Sequence, residues 1–340
     1  MPAESLAPAT ILVINVSRIG DTLLCTPALR ALSYAWPRAR ITFLGHPERV
    51  EIMGHLPFLA EIGSITKRRA FWRGRFRGRR WDLALVLGFD VALVAYAERV
   101  ADKVVAFRQD DVYYNDRLFR CVEPPALHSM HCAHIPLLLT QALAIPDVGG
   151  RLSYVVTQEE HEWARAMLGR VVPVGARPVI GLQVASFPTK GFRDWPIGHF
   201  AKLCDRIART WPRAHFVALG GEHERSRIEK LVRQSQGRTS SLAGKLTLRE
   251  SAALMSRLDL YIGVDTGPTH IMGALEPPMI VLYHCHLPSR LAVPLERERC
   301  YVVEHPRAEQ DCGPDTPMAE IEVASVWEKV VEALAPYAGA

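Results

Sequence analysis

The 340-residue chain lacks the sequence features that identify disulfide-rich, zinc-binding, membrane-spanning and secreted proteins. Its cysteines are odd in number, form no CxxC pair and are scattered too widely for a disulfide-stapled scaffold or a zinc motif: Cys25, Cys121, Cys132, Cys204, Cys285, Cys300 and Cys312. The most apolar stretch, 83–97, is interrupted by Asp90 and is shorter than the ~18 to 20 residues that a membrane span needs. The apolar run at 11–16 is too short for a signal peptide, so we expect a cytoplasmic protein.

Composition favours an ordinary globular protein, because 49% of the residues are hydrophobic and 23% are charged. The length suggests about two domains. The net charge of +5 is unevenly distributed. Segment 67–80 contains no acid, and without it the chain would be net acidic; its basic residues are Lys67, Arg68, Arg69, Arg73, Arg75, Arg77, Arg79 and Arg80.

Strands alternate with helices in both halves of the chain. A β-branched run at 11–16 leads through a turn into apolar residues at helical spacing, and 179–184, 197–210 and 215–219 read as strand, helix and strand. The decapeptide WPRARITFLG at 36–45 recurs as WPRAHFVALG at 211–220, each time between a helix and a strand. The pattern predicts an α/β protein with two Rossmann-like, doubly wound parallel sheets facing a cleft.

The expected domains are 1–172 and 173–320, joined through a linker at 170–178 that is rich in proline, glycine and valine. A last amphipathic helix lies within 321–340. Ligands of such sheets bind outside the carboxyl ends of the strands.

Two turns at such strand ends contain residues suited to chemistry. In GVDTGPTH at 263–270, a strand runs through a glycine-containing turn into a helix, which is typical of phosphate sites but equally of an ordinary helix cap. Asp21, at the matching turn of the first half, is either a helix N-cap or a general base facing the cleft.

Several motifs, in order along 11–334, resemble the heptosyltransferase-like glycosyltransferases of family 9. They are ILVINVSRIGDTLLCTPALRAL at 11–32, WDLALVL at 81–87, HCAHIPLLLTQALAI at 131–145, RDWP at 193–196, LGGEHE at 219–224 and GVDTGPTHIMGAL at 263–275. The resemblance implies a GT-B fold in which the N-terminal domain binds the acceptor and the C-terminal domain binds the nucleotide sugar. It also implies that the last helix packs back on the N-terminal domain.

The resemblance also assigns roles to individual residues. Asp21 takes the place of the catalytic aspartate, beside Gly20 on the acceptor side, and Glu222 takes that of the ribose-binding acid. The donor diphosphate would be held by Lys190, Arg193, Asp265, Thr266, Gly267 and His270. Arg193 stands where the family usually has lysine, which keeps the charge but changes its geometry.

Two histidine clusters are weak candidates for metal sites. His284, Cys285 and His286 lack a fourth ligand, and alternate residues of an extended segment face opposite sides. On a helix, His128, His131 and His134 would form one stripe, but packing and capping explain them better. We therefore expect no metal and no cofactor.

The basic segment 67–80 is interleaved with aromatic residues and has three interpretations: contact with an anionic membrane or acceptor, an idle solvated loop, or a nucleic-acid grip. Because no nucleic-acid module accompanies it, we favour a lipid-linked saccharide acceptor and peripheral binding at the cytoplasmic face of the inner membrane. Its acceptor-binding residues would be Arg75, Arg77, Arg79 and Arg80.

The sequence thus predicts an inverting, metal-independent transfer of heptose from ADP-heptose to a lipopolysaccharide core-type acceptor. No DxD motif is present in the donor half, and the acid pair Asp110-Asp111 lies in the other half. Three alternatives remain: a glycosyltransferase with another nucleotide sugar or with a capsule or protein acceptor, a nucleotide-sugar epimerase, and a nucleic-acid-binding protein.

Overall fold

A computed structural model describes residues 6–73 and 80–337 of the chain. The chain divides into two compact units between Val155 and Val156. This division falls before the boundary at residue 172 that the sequence suggested. The reason is that the helix at Gln158–Val171 packs against the helix at Leu248–Met255, within the second unit, so the predicted linker lies inside that unit.

The first unit is a six-stranded parallel sheet with helices between its strands. Its strands are β1 (Thr10–Asn15), β2 (Arg40–Gly45), β3 (Glu61–Ser64), β4 (Trp81–Val86), β5 (Ala101–Phe107) and β6 (Arg120–Val122). Its helices are α1 (Ile19–Leu23), α2 (Thr26–Ala35), α3 (Lys67–Trp72), α4 (Val91–Val100), α5 (Val112–Asn115) and α6 (Leu137–Gln141). The strand order is β3-β2-β1-β4-β5-β6.

The second unit contains another six-stranded parallel sheet. Its strands are β7 (Val179–Gln183), β8 (His215–Leu219), β9 (Thr239–Ser241), β10 (Leu260–Val264), β11 (Met279–Tyr283) and β12 (Cys300–Glu304). Its helices are α7 (Gln158–Val171), α8 (Ile197–Thr210), α9 (Arg225–Gln234), α10 (Leu248–Met255), α11 (Gly267–Gly273) and α12 (Val323–Ala333). The order β12-β11-β10-β7-β8-β9, read from the other edge, repeats that of the first unit.

The repeated decapeptides occupy equivalent positions in these two sheets. Trp36 and Trp211 are the C-caps of α2 and α8, and each is followed by the strand that pairs with the first strand of its unit, β2 with β1 and β8 with β7. The predicted structural equivalence of the two segments is therefore confirmed. In both sheets the strand order reverses beside that first strand, which is where α/β sheets bind ligands.

Local sequence explains several helix boundaries. Thr157 with Glu160, and Thr247 with Glu250, form capping boxes that begin α7 and α10. Helix α8 buries the residues that share its apolar face, Phe200, Leu203, Cys204 and Ile207. The helical pattern after β1 is divided into α1 and α2, and Pro27 lies in the first turn of α2, where it has no hydrogen bond to lose.

The last helix, α12, packs within the second unit. Its apolar face, with Val326, Val330 and Leu334, belongs to the core of the second unit, and the helix packs against α8, β11 and β12. Packing of this helix on the N-terminal domain, which the resemblance implied, stays a prediction.

Candidate active site

Asp21 lies in the turn that follows β1, at the carboxyl end of that strand. It stands in the first turn of α1, whose N-cap is Arg18, so Asp21 is not the helix cap that the sequence allowed. Its carboxylate is exposed and accepts a hydrogen bond from the Ser17 hydroxyl at 2.8 Å. A carboxylate that the capping bond does not occupy is available to take a proton from a ligand.

The backbone of Asp21 is held from below by buried side chains. The Asn15 amide and the Cys25 thiol both donate to the Asp21 carbonyl oxygen, at 3.4 Å and 3.1 Å. Burial raises the pKa of Cys25 far above its ordinary value, so this thiol is a neutral structural group and not a nucleophile. Sequence reasoning missed Asn15 and Cys25, although both lie in the motif that carried the resemblance.

The side chain of Arg49, a residue that lies outside this turn in the sequence, also contacts the turn. Arg49 donates from Nη1 to the Ser17 carbonyl oxygen at 3.1 Å, and its side chain is about one-third exposed. Gly20, the residue before Asp21, is buried within α1. The turn therefore presents Asp21 outward while its backbone is fixed on the inner side.

In the second unit, Arg193 and Asp265 form a buried ion pair. The guanidinium donates from Nη1 to the Asp265 carboxylate at 2.7 Å and to the Asp265 carbonyl oxygen at 2.9 Å. Only 17% and 6% of the two side chains are exposed. Such a pair fixes both side chains, since removing one partner would leave the other charge uncompensated inside the protein.

The turn after β10 places the other predicted diphosphate residues around this pair. Thr266 is the N-cap residue of α11 and Gly267 is its first residue. His270, in α11, brings Nε2 to 3.7 Å from the Asp265 carboxylate. Buried Thr269 donates to the Val264 carbonyl oxygen at 2.6 Å and contacts the Tyr261 hydroxyl at 2.9 Å, which ties the turn to β10.

Lys190 and Arg193 share one short segment after β7 with an aromatic side chain between them. The Lys190 Nζ and Arg193 Cζ atoms lie 5.7 and 5.6 Å from the centroid of the Phe192 ring, within cation-π range. The segment is anchored through Ser186, which donates to the Lys190 carbonyl oxygen at 2.6 Å. Both predicted cations therefore stand at the carboxyl end of β7, beside the turn after β10.

Glu222 lies after β8, at the same edge of the sheet. Its exposed carboxylate pairs with Arg225 at 2.6 Å. The loop after β9 approaches it closely, because a side-chain carbon on Gly244 would lie 2.3 Å from the Glu222 carboxylate, and Gly244 has a φ of +67°. Glycine fits this position on both counts.

Glu224, two residues further on, was missed by the sequence analysis. Its carboxylate accepts the Gly221 N–H at 2.6 Å and so holds the turn that carries Glu222. Burial raises the pKa of Glu224 to about 7, and the nearby Asp194 adds to that shift. The sequence feature that could have identified Glu224 is its position three residues after Gly221, which is the spacing of a capping box.

The histidine cluster at 128–134 is not a stripe on a helix. These residues form turns, His128 has a φ of +60°, and α6 begins only at Leu137. Among residues 6–73 and 80–337, the group that could hold a metal is instead His284, Cys285 and Cys312. Cys285 and Cys312 are bonded to each other, a disulfide that the spacing of the cysteines along the chain did not indicate.

The basic segment is helical at its start. Lys67–Trp72 form α3, Lys67 pairs with Asp90 at 2.5 Å, and the Phe71 and Trp72 side chains are exposed. The segment therefore has a counter-charge that the sequence pattern did not indicate. Arg80 is exposed beside Trp81, whereas Arg75, Arg77 and Arg79 lie outside the described residues. No helix within 6–73 or 80–337 is long and apolar enough to span a membrane.

Comparison with known proteins places this chain in a family. A model described as Glycosyltransferase family 9 (heptosyltransferase) matches residues 75–319. Lipopolysaccharide core heptosyltransferase OpsX of Haemophilus influenzae is 20% identical over 302 residues, which cover 86% of this chain and 84% of that protein.

Solved structures share the fold. A glycosyl transferase family 9 structure from Veillonella parvula has a TM-score of 0.83 at 19% identity, covering 96% of this chain and 97% of that one. The structure of Escherichia coli ADP-heptose lps heptosyltransferase II has a TM-score of 0.76 at 18% identity, covering 96% and 99%. The fold class is thus confirmed as α/β of GT-B type, with two Rossmann-like units. The chain belongs to glycosyltransferase family 9 and is a glycosyltransferase.

Proposed function

We propose that this enzyme transfers heptose from ADP-heptose to a sugar hydroxyl of a lipopolysaccharide core-type acceptor, with inversion at the anomeric carbon. The observation that carries the proposal is that the two sheets present different chemical groups at their strand ends. The first presents an exposed carboxylate, Asp21, on a fixed turn. The second presents the cations Lys190 and Arg193 beside the turn after β10. Transfer from a nucleotide sugar needs both a proton acceptor and a stabiliser of the leaving diphosphate.

Asp21 acts as the general base in this proposal. As the acceptor oxygen attacks the anomeric carbon from the face opposite the diphosphate, its proton passes to the Asp21 carboxylate. A well-placed base contributes ~10²- to 10⁴-fold to the rate. The fixed backbone supports this role, since little reorganisation is needed to aim the carboxylate.

Arg193 and Lys190 neutralise the charge that grows on the diphosphate as the glycosidic bond breaks. Asp265 is itself an anion, and its contacts support a positioning role, in which it holds Arg193 in place. Thr266, Gly267 and His270 border the same position from the start of α11. Fixed protein cations at this place make a divalent metal unnecessary for departure of the leaving group.

Glu222 binds the ribose hydroxyls in this proposal. Its ion pair with Arg225 is largely exposed, with 62% of the Glu222 side chain accessible, and such pairs contribute little stability. Ribose can therefore take the place of Arg225 at low cost, provided that the turn held by Glu224 stays in position.

The acceptor contacts Gly20 and the basic segment of the first unit. An anionic, lipid-linked saccharide explains the conjunction of Arg75, Arg77, Arg79 and Arg80 with exposed aromatic side chains such as Trp72. It also places the enzyme at the cytoplasmic face of the inner membrane as a peripheral protein, with no role for nucleic acid.

Purified full-length enzyme tests this function directly. We expect ADP-heptose and a heptose-free lipopolysaccharide core acceptor to give a product one heptose heavier, with the opposite anomeric configuration to the donor by NMR. Incubation with donor alone is the control, because an epimerase would convert the sugar without an acceptor whereas a transferase would leave it intact. Transfer from other nucleotide sugars but not from ADP-heptose would contradict the proposed donor.

Metal independence has its own measurement. Activity should persist in excess EDTA, because the cations that stabilise the leaving group belong to the chain. If EDTA abolishes turnover and Mg²⁺ or Mn²⁺ restores it, the leaving-group argument is wrong.

A further inference from the structure

Three donor side chains meet beside the end of β11, outside the residues that the proposed reaction uses. His284 and Cys285 follow that strand and are almost fully buried, at 1% and 3% exposure. Cys312 is brought to them from 27 residues further along the chain. The Nδ1 atom of His284 lies 4.0 Å from the sulfur of Cys285 and 3.9 Å from that of Cys312.

The histidine is oriented as metal-binding histidines are. Its Nε2 lies 2.7 Å from the Thr316 carbonyl oxygen and can only donate to it, so Nδ1 is the nitrogen that carries the lone pair. That lone pair accepts the His286 N–H at 3.0 Å, a hydrogen bond that a bound metal ion would replace. The outer hydrogen bond that fixes the tautomer of a ligating histidine is thus already formed.

The separations between the donor atoms suit a tetrahedral ion. Metal–ligand bonds of about 2.0 to 2.3 Å in a tetrahedron put the ligand atoms roughly 3.3 to 3.8 Å apart. The two nitrogen–sulfur distances are already close to this range. The remaining change is cleavage of the bond between Cys285 and Cys312, after which the two thiolates can lie on the same ion as His284.

We propose that His284, Cys285 and Cys312 form a redox-controlled metal site that binds a thiolate-seeking divalent cation of the zinc type when the disulfide is reduced. An external dithiol supplies two electrons and two protons, is itself oxidised to a disulfide, and leaves two thiols on the chain. Metal binding releases both thiol protons to solvent, and a water molecule completes the coordination. An external disulfide can reverse the change: it accepts two electrons from the Cys285 and Cys312 thiolates and, with two protons from solvent, becomes a dithiol, while the metal ion leaves and the bond between the two cysteines forms again.

The cellular setting proposed above favours the reduced form, since cytoplasmic thiols are kept reduced. The site also borders the donor residues, because the Phe192 ring lies 5.1 Å from that of His284 and is in cation-π range of Arg193. Metal binding can be measured in vitro without any substrate. The metal site can therefore be disproved while the proposed heptose transfer is confirmed, and heptose transfer can be disproved while the metal site is confirmed.

Cobalt binding to the full chain tests the proposal. After reduction and removal of reductant under anaerobic conditions, one Co²⁺ per chain should bind and give the near-ultraviolet absorption of thiolate-to-cobalt charge transfer, and Zn²⁺ should displace it. Cys285→Ser and Cys312→Ser should abolish that absorption, and His284→Ala should weaken binding at least tenfold. Cys121→Ser and Cys300→Ser, which alter half-buried free cysteines, are the matched controls and should bind as the parent does.

A second measurement needs no variant and covers the case in which a substitution prevents folding. Zn²⁺ should protect Cys285 and Cys312 of the reduced wild-type chain from alkylation, as read by peptide mass spectrometry, while the labelling of Cys121 and Cys300 stays unchanged. The oxidised chain should bind no Co²⁺. The proposal is overturned if the reduced chain binds neither ion, or if the cobalt absorption persists without Cys285 and Cys312.

Discussion

The turn after β1 and the turn after β10 both follow central strands of their sheets but differ in their electrostatic surroundings. At the first, the exposed Asp21 carboxylate accepts a hydrogen bond from one hydroxyl group, and side chains from the core contact only the Asp21 backbone. At the second, Asp265 is 4% exposed and its carboxylate is committed to Arg193. Two aspartates at strand ends thus differ in their surroundings: the Asp21 carboxylate is exposed, and the Asp265 carboxylate is buried against the Arg193 guanidinium.

Burial and charge pairing, more than residue type, therefore suit Asp21 to the proposed role of a base and Asp265 to the proposed role of a positioning group. An exposed carboxylate can reach a ligand. A buried carboxylate with a guanidinium partner gives that partner a fixed place. Each of the following predictions tests one side of this contrast.

Asp21→Asn should have the largest effect. The variant keeps the size of the side chain and can still accept from Ser17, but it cannot take up the acceptor's proton. We expect kcat to fall by at least ~10²-fold, with normal folding and unchanged affinity for the donor. Steady-state kinetics and donor titration measure this. Near-normal turnover would make Asp21 a structural residue of α1 only.

Arg193→Ala should weaken binding of the nucleotide diphosphate by about 10- to 100-fold, the scale of a lost charge-assisted hydrogen bond. Because Asp265 would then be a buried charge without its partner, the variant should also unfold at a lower temperature. Arg193→Lys is the matched control, since it keeps the charge and should restore most of the affinity and stability. Calorimetric titration with ADP separates the outcomes, and equal affinity in all three proteins would remove Arg193 from the donor site.

Reversal of Arg75, Arg77, Arg79 and Arg80 to glutamate should raise KM for a lipid-linked acceptor by about tenfold at physiological ionic strength, where screening reduces the roughly 1 kcal/mol per cation seen near anionic membranes. Donor affinity should not change, because the donor residues lie in the other unit. Binding to anionic vesicles should be strong for the parent at low salt and absent in the variant. If the parent and the variant bind vesicles equally well, this segment has no role at the membrane. If the parent binds single-stranded RNA more tightly than vesicles, the result favours a nucleic-acid partner.

Glu224 should give the smallest effect, and on stability rather than rate. Its folded-state pKa of about 7 lies above the ordinary 4.5, so the folded protein holds a proton that the unfolded chain releases. This contribution to stability is therefore present below pH 4.5 and is lost as the pH rises to about 7. Glu224→Gln should remove about 1 kcal/mol of that pH dependence, an estimate reduced for the partial exposure of the group.

Thermal unfolding at several pH values measures this difference. Gly221, Gln183, Asp194 and Arg227 face the Glu224 carboxylate and must stay unchanged. Glu222→Gln, which changes an exposed carboxylate of the same turn, is the matched control. The same pH profile for Glu224→Gln and the parent would show that this carboxylate is ionised throughout.

Local patterns determined most of the fold and most of the candidate list. β-branched runs, helical periodicity and the repeated WPRA segment gave both sheets and the equivalence of β2 and β8, because strand and helix formation depends on residues near in sequence. The same patterns did not show that the helical segment after β1 is divided, nor that residues 128–134 form turns, because helix boundaries depend on backbone details such as Pro27 and the positive φ of His128.

The sequence by itself named Asp21, Arg193 and Asp265 as candidates, since each stands in a recognisable strand-to-helix turn or motif. Only the tertiary structure decided that Arg193 pairs with Asp265, that Asp21 is not a cap, and that Cys312 joins His284 and Cys285. The bond between Cys285 and Cys312 joins residues 27 positions apart, and the ion pair of Arg193 with Asp265 joins residues 72 positions apart. The remaining feature, that Asp21 is not a cap, depends on the direction of the Asp21 side chain. Burial and charge pairing arise from packing, and no spacing rule along the chain encodes them.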